Sequence, residues 1–167
     1  MSGPLTLRPR PAFTTGVLLA AVAFGGAYFT GDYASDWYRA LAKPRDLLPE
    51  RLEQSIALVW AVLYLLAGVA LGAVLAADRR TAWKVFALGL FAAQLGLNYA
   101  YSTVFTIHRD LTGAVWVAAG LTAATALLIL ACASGRVLPA AVCLLPYLAW
   151  ATYATVVTAA VARLNLS

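Results

Sequence analysis

The stretch "LTGAVWVAAGLTAATALLILACASG", residues 111–135, runs for 25 residues without an Asp, Glu, Lys, Arg or His. A helix needs about 20 apolar residues to cross a hydrocarbon layer of ~30 Å, so this stretch can span a membrane once but not twice. Four further charge-free stretches, of 21 to 26 residues, lie at 11–31, 54–77, 85–107 and 137–162. The charge pattern therefore predicts five transmembrane segments.

The overall composition excludes a soluble domain. Of the 167 residues, 63% are hydrophobic and 11% are charged, whereas a soluble domain of this size needs a more charged surface. A transmembrane β-barrel would show short segments of alternating hydrophobicity, but these stretches are continuous and rich in Ala, Leu and Val. Backbone groups in lipid must be hydrogen-bonded within their own segment, which leaves helices as the solution.

The first stretch follows Arg8 and Arg10, a pattern that signal peptides share. Its core, "GVLLAAVAFGGAYFT" at 16–30, continues past the usual signal-peptide hydrophobic region, so we interpret it as a retained helix. We predict an all-α integral membrane protein, a single domain over 1–167 that forms a five-transmembrane-helix bundle. A long loop, 32–53, joins helices one and two. The predicted helices cover about 11–31, 54–77, 83–107, 111–134 and 137–163.

The charged residues leave the orientation of the bundle open. The predicted topology places six basic residues at each side of the membrane, so the positive-inside count is a tie. Acidic residues contribute little to that rule, but their distribution, one against six, favours an N-terminus-in orientation. The formal net charge of +5 needs no nucleic-acid partner, because basic helix ends beside anionic membrane lipids explain it. Trp83, beside Lys84, lies where an interfacial aromatic belt is expected.

The membrane segments contain no ionisable groups apart from tyrosine and cysteine side chains. Proton-coupled transport and metal or hydrolytic catalysis usually need Asp, Glu, His or Lys inside the membrane. The single histidine, His108, lies in a short loop, and Cys132 and Cys143 form no metal-ligand spacing. We expect neither a metal site nor a required cofactor.

Uncharged polar and aromatic residues recur with helical spacing on three of the segments. A buried amide costs several kcal/mol unless it is hydrogen-bonded, so Gln94 and Asn98 are expected to face the bundle interior. Taken singly, such residues are typical of interhelical hydrogen bonds and core packing. Taken together, they indicate a pocket for a large, flat, apolar molecule. The three faces are Trp60 and Tyr64; Gln94, Asn98, Tyr101, Ser102 and Phe105; and Pro146, Tyr147, Trp150 and Ala154.

Two rows of small residues are candidates for a homodimer contact. Gly68 and Gly72 form a GxxxG motif in the second segment. Ala92, Gly96 and Ala100 form a similar row in the third segment, which we favour slightly.

Four motifs resemble the TspO/translocator protein family, also called tryptophan-rich sensory proteins or peripheral-type benzodiazepine receptors. "WYRALAKP" (37–44) is similar to the family's WYxxLxKP, and "WAVLY" (60–64) with Gly68 is similar to its WxxLYxxxG. "QLGLNYAYSTVF" (94–105) resembles QxxLNxxWSxxFF, and "PYLAWATYAT" (146–155) resembles PYLxWxxxAT. The motifs follow the family's order over nearly the whole chain.

The resemblance implies a bundle, often dimeric, that binds porphyrins, haem-related tetrapyrroles and other hydrophobic ligands in a pocket beneath the first loop. Carried over to this sequence, the pocket includes Trp60, Asn98, Ser102, Trp150 and Ala154, with Tyr64, Tyr101 and Tyr147 nearby. The loop would act as a lid, with Trp37, Tyr38, Lys43, Pro44 and Pro49 as its lid residues.

The chain departs from the family pattern mainly in this loop. Leu48-Pro49 stands where the family has two prolines, and Arg45 and Asp46 stand where it has tryptophans. Tyr101 replaces the tryptophan of the third segment, and Val104 replaces the first Phe of its FF pair. The C-terminal "TVVTAAVAR" (155–163) lacks the tyrosine of the animal cholesterol motif, which removes the main sequence support for sterol binding.

Three functions are compatible with these residues. The favoured one is a membrane receptor or sensor that binds a tetrapyrrole. The second is a facilitator of the transport of small lipophilic metabolites. The third is light-dependent porphyrin degradation, in which Trp60 and Trp150 would act as catalytic residues; without that activity no catalytic residue is predicted.

Overall fold

A computed structural model describes Thr14 and residues 32–166 of the chain. The predicted first helix, 11–31, lies outside the described residues except for Thr14. Within residues 32–166 the chain forms five α-helices and one π-helical turn. They are α1 (Asp36–Ala40), α2 (Glu50–Ala76), α3 (Thr81–Ser102), the π-turn (Thr103–Ile107), α4 (Leu111–Ser134) and α5 (Leu138–Leu166).

Helix α2 begins four residues before the predicted start at residue 54. Pro49 occupies its N-cap position, with φ −63° and ψ 151°, and the first turn contains Glu50 and Glu53. Carboxylates in a first turn interact favourably with the positive end of the helix dipole. The charged residues therefore start the helix rather than extend the loop, and the loop that forms the lid ends at Pro49, so the lid comprises residues 32–49.

Helix α3 and the π-turn together cover the predicted third helix. The amide of His108 closes the turn by donating to the Thr103 carbonyl at 3.0 Å. Arg109 then adopts a positive φ of 57°, and Asp110 caps α4 by accepting from the Gly113 amide at 2.8 Å. This tight connection lets α4 start at Leu111, as predicted.

The described helices confirm the all-α membrane fold. Helices α2, α4 and α5 are long and apolar enough to cross a membrane. Helix α3 falls outside that group because its polar stripe, which contains Gln94 and Asn98, lowers its hydropathy. Short connections make successive helices antiparallel, and α4 packs between α3 and α5 while α2 packs on α5. Helix α5 remains helical through Pro146.

The bundle has two chemically different ends. The lid pole comprises residues 32–53, 103–110 and 163–166, and the basic pole comprises residues 77–84 and 134–138. Three apolar clusters fill the length between them: one under the lid around Phe105 and Leu111, one in the middle around Leu63 and Tyr147, and one near the basic pole around Leu128.

The two rows of small residues lie in different surroundings. Gly68 and Gly72 are buried within the bundle, so the second-segment row packs inside the protomer. Ala92 and Gly96 are exposed, and a Cβ atom built at Gly96 meets nothing within 4 Å among the described residues. Of the two rows, only that of α3 presents an open face.

Candidate ligand site beneath the lid

The middle of the bundle is organised around the side-chain amide of Asn98, which is 5% exposed. The Tyr64 hydroxyl donates to Asn98 Oδ1, and Asn98 Nδ2 donates to the Tyr147 hydroxyl at 2.9 Å. The amide thus joins α2, α3 and α5, which satisfies the hydrogen-bonding demand of a polar group in an apolar interior. The predicted interior position of Asn98 is confirmed.

Aromatic rings surround this amide. The centroid of the Trp60 ring lies 5.7 Å from that of Tyr64 and 5.7 Å from that of Tyr147, and Trp150 lies 6.4 Å from Trp60 at an interplanar angle of 88°. Trp60 meets Tyr147 and Trp150 edge to face, an arrangement that is favourable between aromatic side chains. We refer to Trp60, Tyr64, Asn98, Tyr147 and Trp150 as the amide–aromatic centre.

Two N–H donors at this level have no protein partner among the described residues. They are Gln94 Nε2 and Trp150 Nε1. Gln94 is 4% exposed and lies one helical turn before Asn98 on the same face of α3. An unpaired buried donor costs about 1–3 kcal/mol, so both groups are available to an acceptor on a bound molecule.

The other end of the predicted α3 stripe belongs to a second group of rings, under the lid. Tyr101 and Phe105 stack with their centroids 5.6 Å apart and an interplanar angle of 9°. Trp37 and Tyr38 approach Phe105 edge to face, at 5.9 Å and 6.1 Å. The stripe therefore connects the amide–aromatic centre to the underside of the lid.

Three of the residues near these rings, Tyr101, Ser102 and Thr158, form hydrogen bonds through their hydroxyl groups. The Tyr101 hydroxyl lies 2.8 Å from Thr158 Oγ1, which in turn donates to the Ala154 carbonyl at 2.7 Å. Ser102 Oγ lies 3.3 Å from the hydroxyl of Tyr33 in the lid. Of the predicted residues, Ser102 is thus hydrogen-bonded to the lid, and Tyr101 is hydrogen-bonded to α5. The bond to the Ala154 carbonyl lies within α5.

Ion pairs hold the lid to the start of α2. Lys43 Nζ lies 2.5 Å from Glu53 Oε1, and Arg45 lies 2.8 Å from Glu53 Oε2. The Lys43 side chain is 7% exposed, and its Nζ also lies 4.1 Å from the centre of the Tyr38 ring. Lys43 of the WYRALAKP motif therefore binds the lid to the bundle.

The end of α5 holds the same loop. Asn165 Oδ1 accepts from the Ala42 amide at 3.0 Å, and Asn165 Nδ2 donates to the Ala42 carbonyl at 2.9 Å. The Tyr153 hydroxyl donates to the Leu47 carbonyl at 2.5 Å. Leu48 is 5% exposed and belongs to the apolar cluster under the lid.

The predicted lid prolines shape the path of the loop. The Leu48 amide donates to the Pro44 carbonyl at 2.7 Å, and the Leu52 amide donates to the Pro49 carbonyl at 3.0 Å. Pro44 thus opens the turn that inserts Leu48, and Pro49 starts α2.

The phenols of the lid remain protonated. Burial raises the pKa of Tyr38 above its ordinary value, and the neighbouring Glu53 carboxylate raises it further. Burial also raises the pKa of Tyr33, an effect that its hydrogen bond with Ser102 partly opposes. Both hydroxyls therefore carry a proton that can be donated.

Sequence reasoning missed four residues that position the lid. They are Tyr33, Glu53, Tyr153 and Asn165. Glu53 lies 10 and 8 residues after Lys43 and Arg45, and Asp46 and Glu50 are nearer to them in sequence, so sequence distance alone does not indicate this pairing. The bonds from Tyr153 and Asn165 cross 106 and 123 residues of sequence, so no local spacing indicates them.

A helical membrane bundle with an amide–aromatic interior and a long lid defines the class of protein. The profile of the TspO/MBR family matches residues 14–164. The chain belongs to the TspO/MBR family.

Individual relatives agree with this membership. The chain is 34% identical over 158 residues to the tryptophan-rich protein TspO of Chlorobaculum tepidum, covering 89% of this chain and 91% of the relative. It is 34% identical over 157 residues to the translocator protein of Bos taurus, covering 86% and 83%. It is 29% identical over 147 residues to a tryptophan-rich protein TspO of Archaeoglobus fulgidus, covering 87% and 90%.

Proposed function

We propose that this protein is a membrane receptor of the sensor or translocator type that binds a porphyrin or related tetrapyrrole beneath its lid. The observation that carries the proposal is a pair of buried donors, Gln94 Nε2 and Trp150 Nε1, that have no partner in the described part of the chain. Trp150 belongs to the amide–aromatic centre, and Gln94 lies one helical turn from Asn98. Flat π-systems pack favourably against such rings. Carboxylate or carbonyl oxygens on the ligand would accept from the two donors.

Quenching of tryptophan fluorescence by protoporphyrin IX tests the proposal in the purified full chain. We expect saturable quenching, and about fivefold weaker binding in Trp60→Phe and Trp150→Phe, each of which removes part of an aromatic contact. Trp116→Phe is the matched control, because Trp116 is 74% exposed on α4. Unsaturable quenching, or equal affinity in all three variants, would overturn the proposal.

A second variant separates ligand binding from folding. Gln94→Leu removes a buried donor that has no partner within residues 32–166 and keeps a similar volume, so we expect the free protein to unfold at the same or a higher SDS concentration. The same change is expected to weaken porphyrin binding by about tenfold, since a donor to the ligand is lost. If Gln94→Leu lowers stability and leaves porphyrin affinity unchanged, Gln94 is a structural residue and not part of the site.

The same samples distinguish binding from light-dependent degradation and from transport. Degradation requires a new chromophore that forms under illumination and disappears in Trp60→Phe or Trp150→Phe. Facilitated transport requires porphyrin flux into liposomes faster than in empty vesicles. Binding with neither result is the outcome that the proposal expects.

The proposal includes five membrane spans, formed by segment 11–31 and α2 to α5, with the N-terminus inside. It also includes a homodimer formed through the open small-residue face of α3, because Gly68 and Gly72 are occupied within the protomer. Replacing Gly96 by Leu is expected to convert the dimer to a monomer in size-exclusion chromatography with light scattering, whereas Leu58→Ala, on an exposed part of α2, is not.

A further inference from the structure

The basic pole carries positive charge that the described protein does not neutralise. Its residues include four basic side chains and one acidic one, and within residues 32–166 none of the four forms an ion pair with a carboxylate. The lid pole contains equal numbers of basic and acidic residues, six of each. Three of its basic residues, Lys43, Arg45 and Arg39, form ion pairs with carboxylates. The unneutralised group is Arg79, Arg80, Lys84 and Arg136.

A cavity of about 440 Å³, largely open to its surroundings, lies beside two of these residues and is lined by Asp78, Arg79, Arg80 and Trp83. Its walls are held in place. Arg79 Nε donates to the Gly135 carbonyl at 2.5 Å, and Trp83 Nε1 donates to the Ala131 carbonyl at 3.1 Å. Gly135 packs so closely on the indole of Trp83 that a Cβ atom there would overlap the ring.

The free donors of this cavity point to an anion. With Nε engaged, the guanidinium of Arg79 retains its terminal nitrogens, of which Nη1 makes one long contact of 3.4 Å to the Asp78 carbonyl. Arg80 is exposed, and as the N-cap residue of α3 it makes no side-chain capping bond. The positive end of the α3 dipole therefore adds to the two guanidinium groups, and guanidinium groups bind phosphate oxygens bidentately.

The position of the cavity relative to the membrane indicates which kind of anion it binds. The cavity lies where α2 ends and α5 begins, and both helices are long enough to cross the membrane, so it is at the level of the lipid headgroups. Trp83 is the amphipathic residue typical of that level. We propose that the basic pole binds the headgroup of an anionic phospholipid between Arg79, Arg80 and Trp83.

Native mass spectrometry of the full chain in a detergent containing equal amounts of phosphatidylglycerol and phosphatidylcholine tests this site. We expect bound phosphatidylglycerol to exceed bound phosphatidylcholine. Arg80→Gln is expected to reduce that preference about fivefold, and Arg79→Gln/Arg80→Gln about 25-fold, since each cation near an anionic surface contributes a similar increment. Asp78→Asn is expected to increase the preference.

The matched control is Arg51→Gln/Arg163→Gln, which removes the same charge from exposed positions at the lid pole. An equal loss of preference in this control would overturn the proposal, because net charge alone would then explain binding. Arg80→Gln leaves the bonds of Arg79 and Trp83 to the end of α4 intact, so a loss of preference in this variant does not reflect misfolding. An unchanged preference in both basic-pole variants would also overturn the proposal. Displacement of phosphatidylglycerol by 10 mM inorganic phosphate would assign the cavity to a soluble anion instead of a lipid.

Discussion

The two poles of this bundle use their charged residues in opposite ways. At the lid pole, Lys43 and Arg45 share one carboxylate of α2, and the loop is also bonded to α5 through Asn165. At the basic pole, Arg79, Trp83 and Lys84 donate to backbone carbonyls instead of carboxylates. Arg80 and Arg136 are exposed. One pole is closed by internal pairs, and the other is left open to an external anion.

This difference accords with the lengths of the connections. The basic pole has two short connections, from α2 to α3 and from α4 to α5, and each is barely longer than a turn. A few side-chain bonds to the carbonyls that a helix end leaves without a partner are enough to hold them. The lid is long, and the entropy lost in ordering it must be offset by contacts of its own. Its ion pairs, buried Leu48 and the bonds of Asn165 supply those contacts.

The largest expected effect is loss of the buried cation of the lid. Lys43→Met keeps the apolar stem but leaves Glu53, whose side chain is 19% exposed, with Arg45 as its one ion-pair partner in the described part of the chain. We expect the free energy of unfolding to fall by about 3 kcal/mol, as when one partner of a largely buried pair is removed. SDS titration followed by circular dichroism measures the change.

The exposed pair of the same pole provides the control. Arg39 and Asp36 have side-chain exposures of 67% and 98%, so Arg39→Gln is expected to change stability by less than about 0.5 kcal/mol. Lys43→Met/Glu53→Leu should recover part of the loss, because the partly buried carboxylate that lost its buried partner is then removed, and Arg45, whose side chain is 50% exposed, can be hydrated. If Lys43→Met costs no more than Arg39→Gln, the lid is not held by this pair.

The membrane fold was predictable because hydrocarbon excludes charge, so charge-free stretches mark the helices. The start of α2 was not predictable in the same way. Acidic residues such as Glu50 and Glu53 are typical of a charged loop and equally typical of the first turn of a helix, where the structure places them. The interior position of Asn98 followed from the cost of burying an amide. Its partners Tyr64 and Tyr147 lie on other helices, and which side chains meet there depends on how α2 and α5 pack, which spacing within one helix does not specify.

At the basic pole, we expect Gly135→Ala to lower stability by an amount between those expected for the Lys43 and Asn165 variants of the lid pole. The φ of Gly135, −73°, is open to any residue, so Gly135→Ala introduces no backbone strain. The new methyl group would instead overlap the indole of Trp83, displacing the ring from its bond to the Ala131 carbonyl. We expect a loss of about 2 kcal/mol in the free energy of unfolding, typical of overpacking.

Gly96→Ala is the matched change for Gly135→Ala. Nothing described lies within 4 Å of its added methyl group, and alanine is the better helix former, so no loss of stability is expected in monomeric detergent complexes. Gly135→Ala/Trp83→Ala should remove the clash and behave like Trp83→Ala alone. A Gly135→Ala variant as stable as Gly96→Ala would show that close packing of Trp83 does not hold the basic pole together.

The smallest effect is expected at Asn165, and it should be confined to the lid. Asn165→Leu removes two hydrogen bonds to Ala42, but Ala42 is exposed, so water can replace them and the net loss is about 1 kcal/mol. When opening is fast relative to cleavage, proteolysis follows the open population, so trypsin should cut after Arg45 about fivefold faster. Asn165→Asp keeps the acceptor for the Ala42 amide and should give an intermediate rate. Equal cleavage rates in all three proteins would mean that the lid opens without releasing Asn165; the ion pairs of Lys43 and Arg45 with Glu53 would then set its opening.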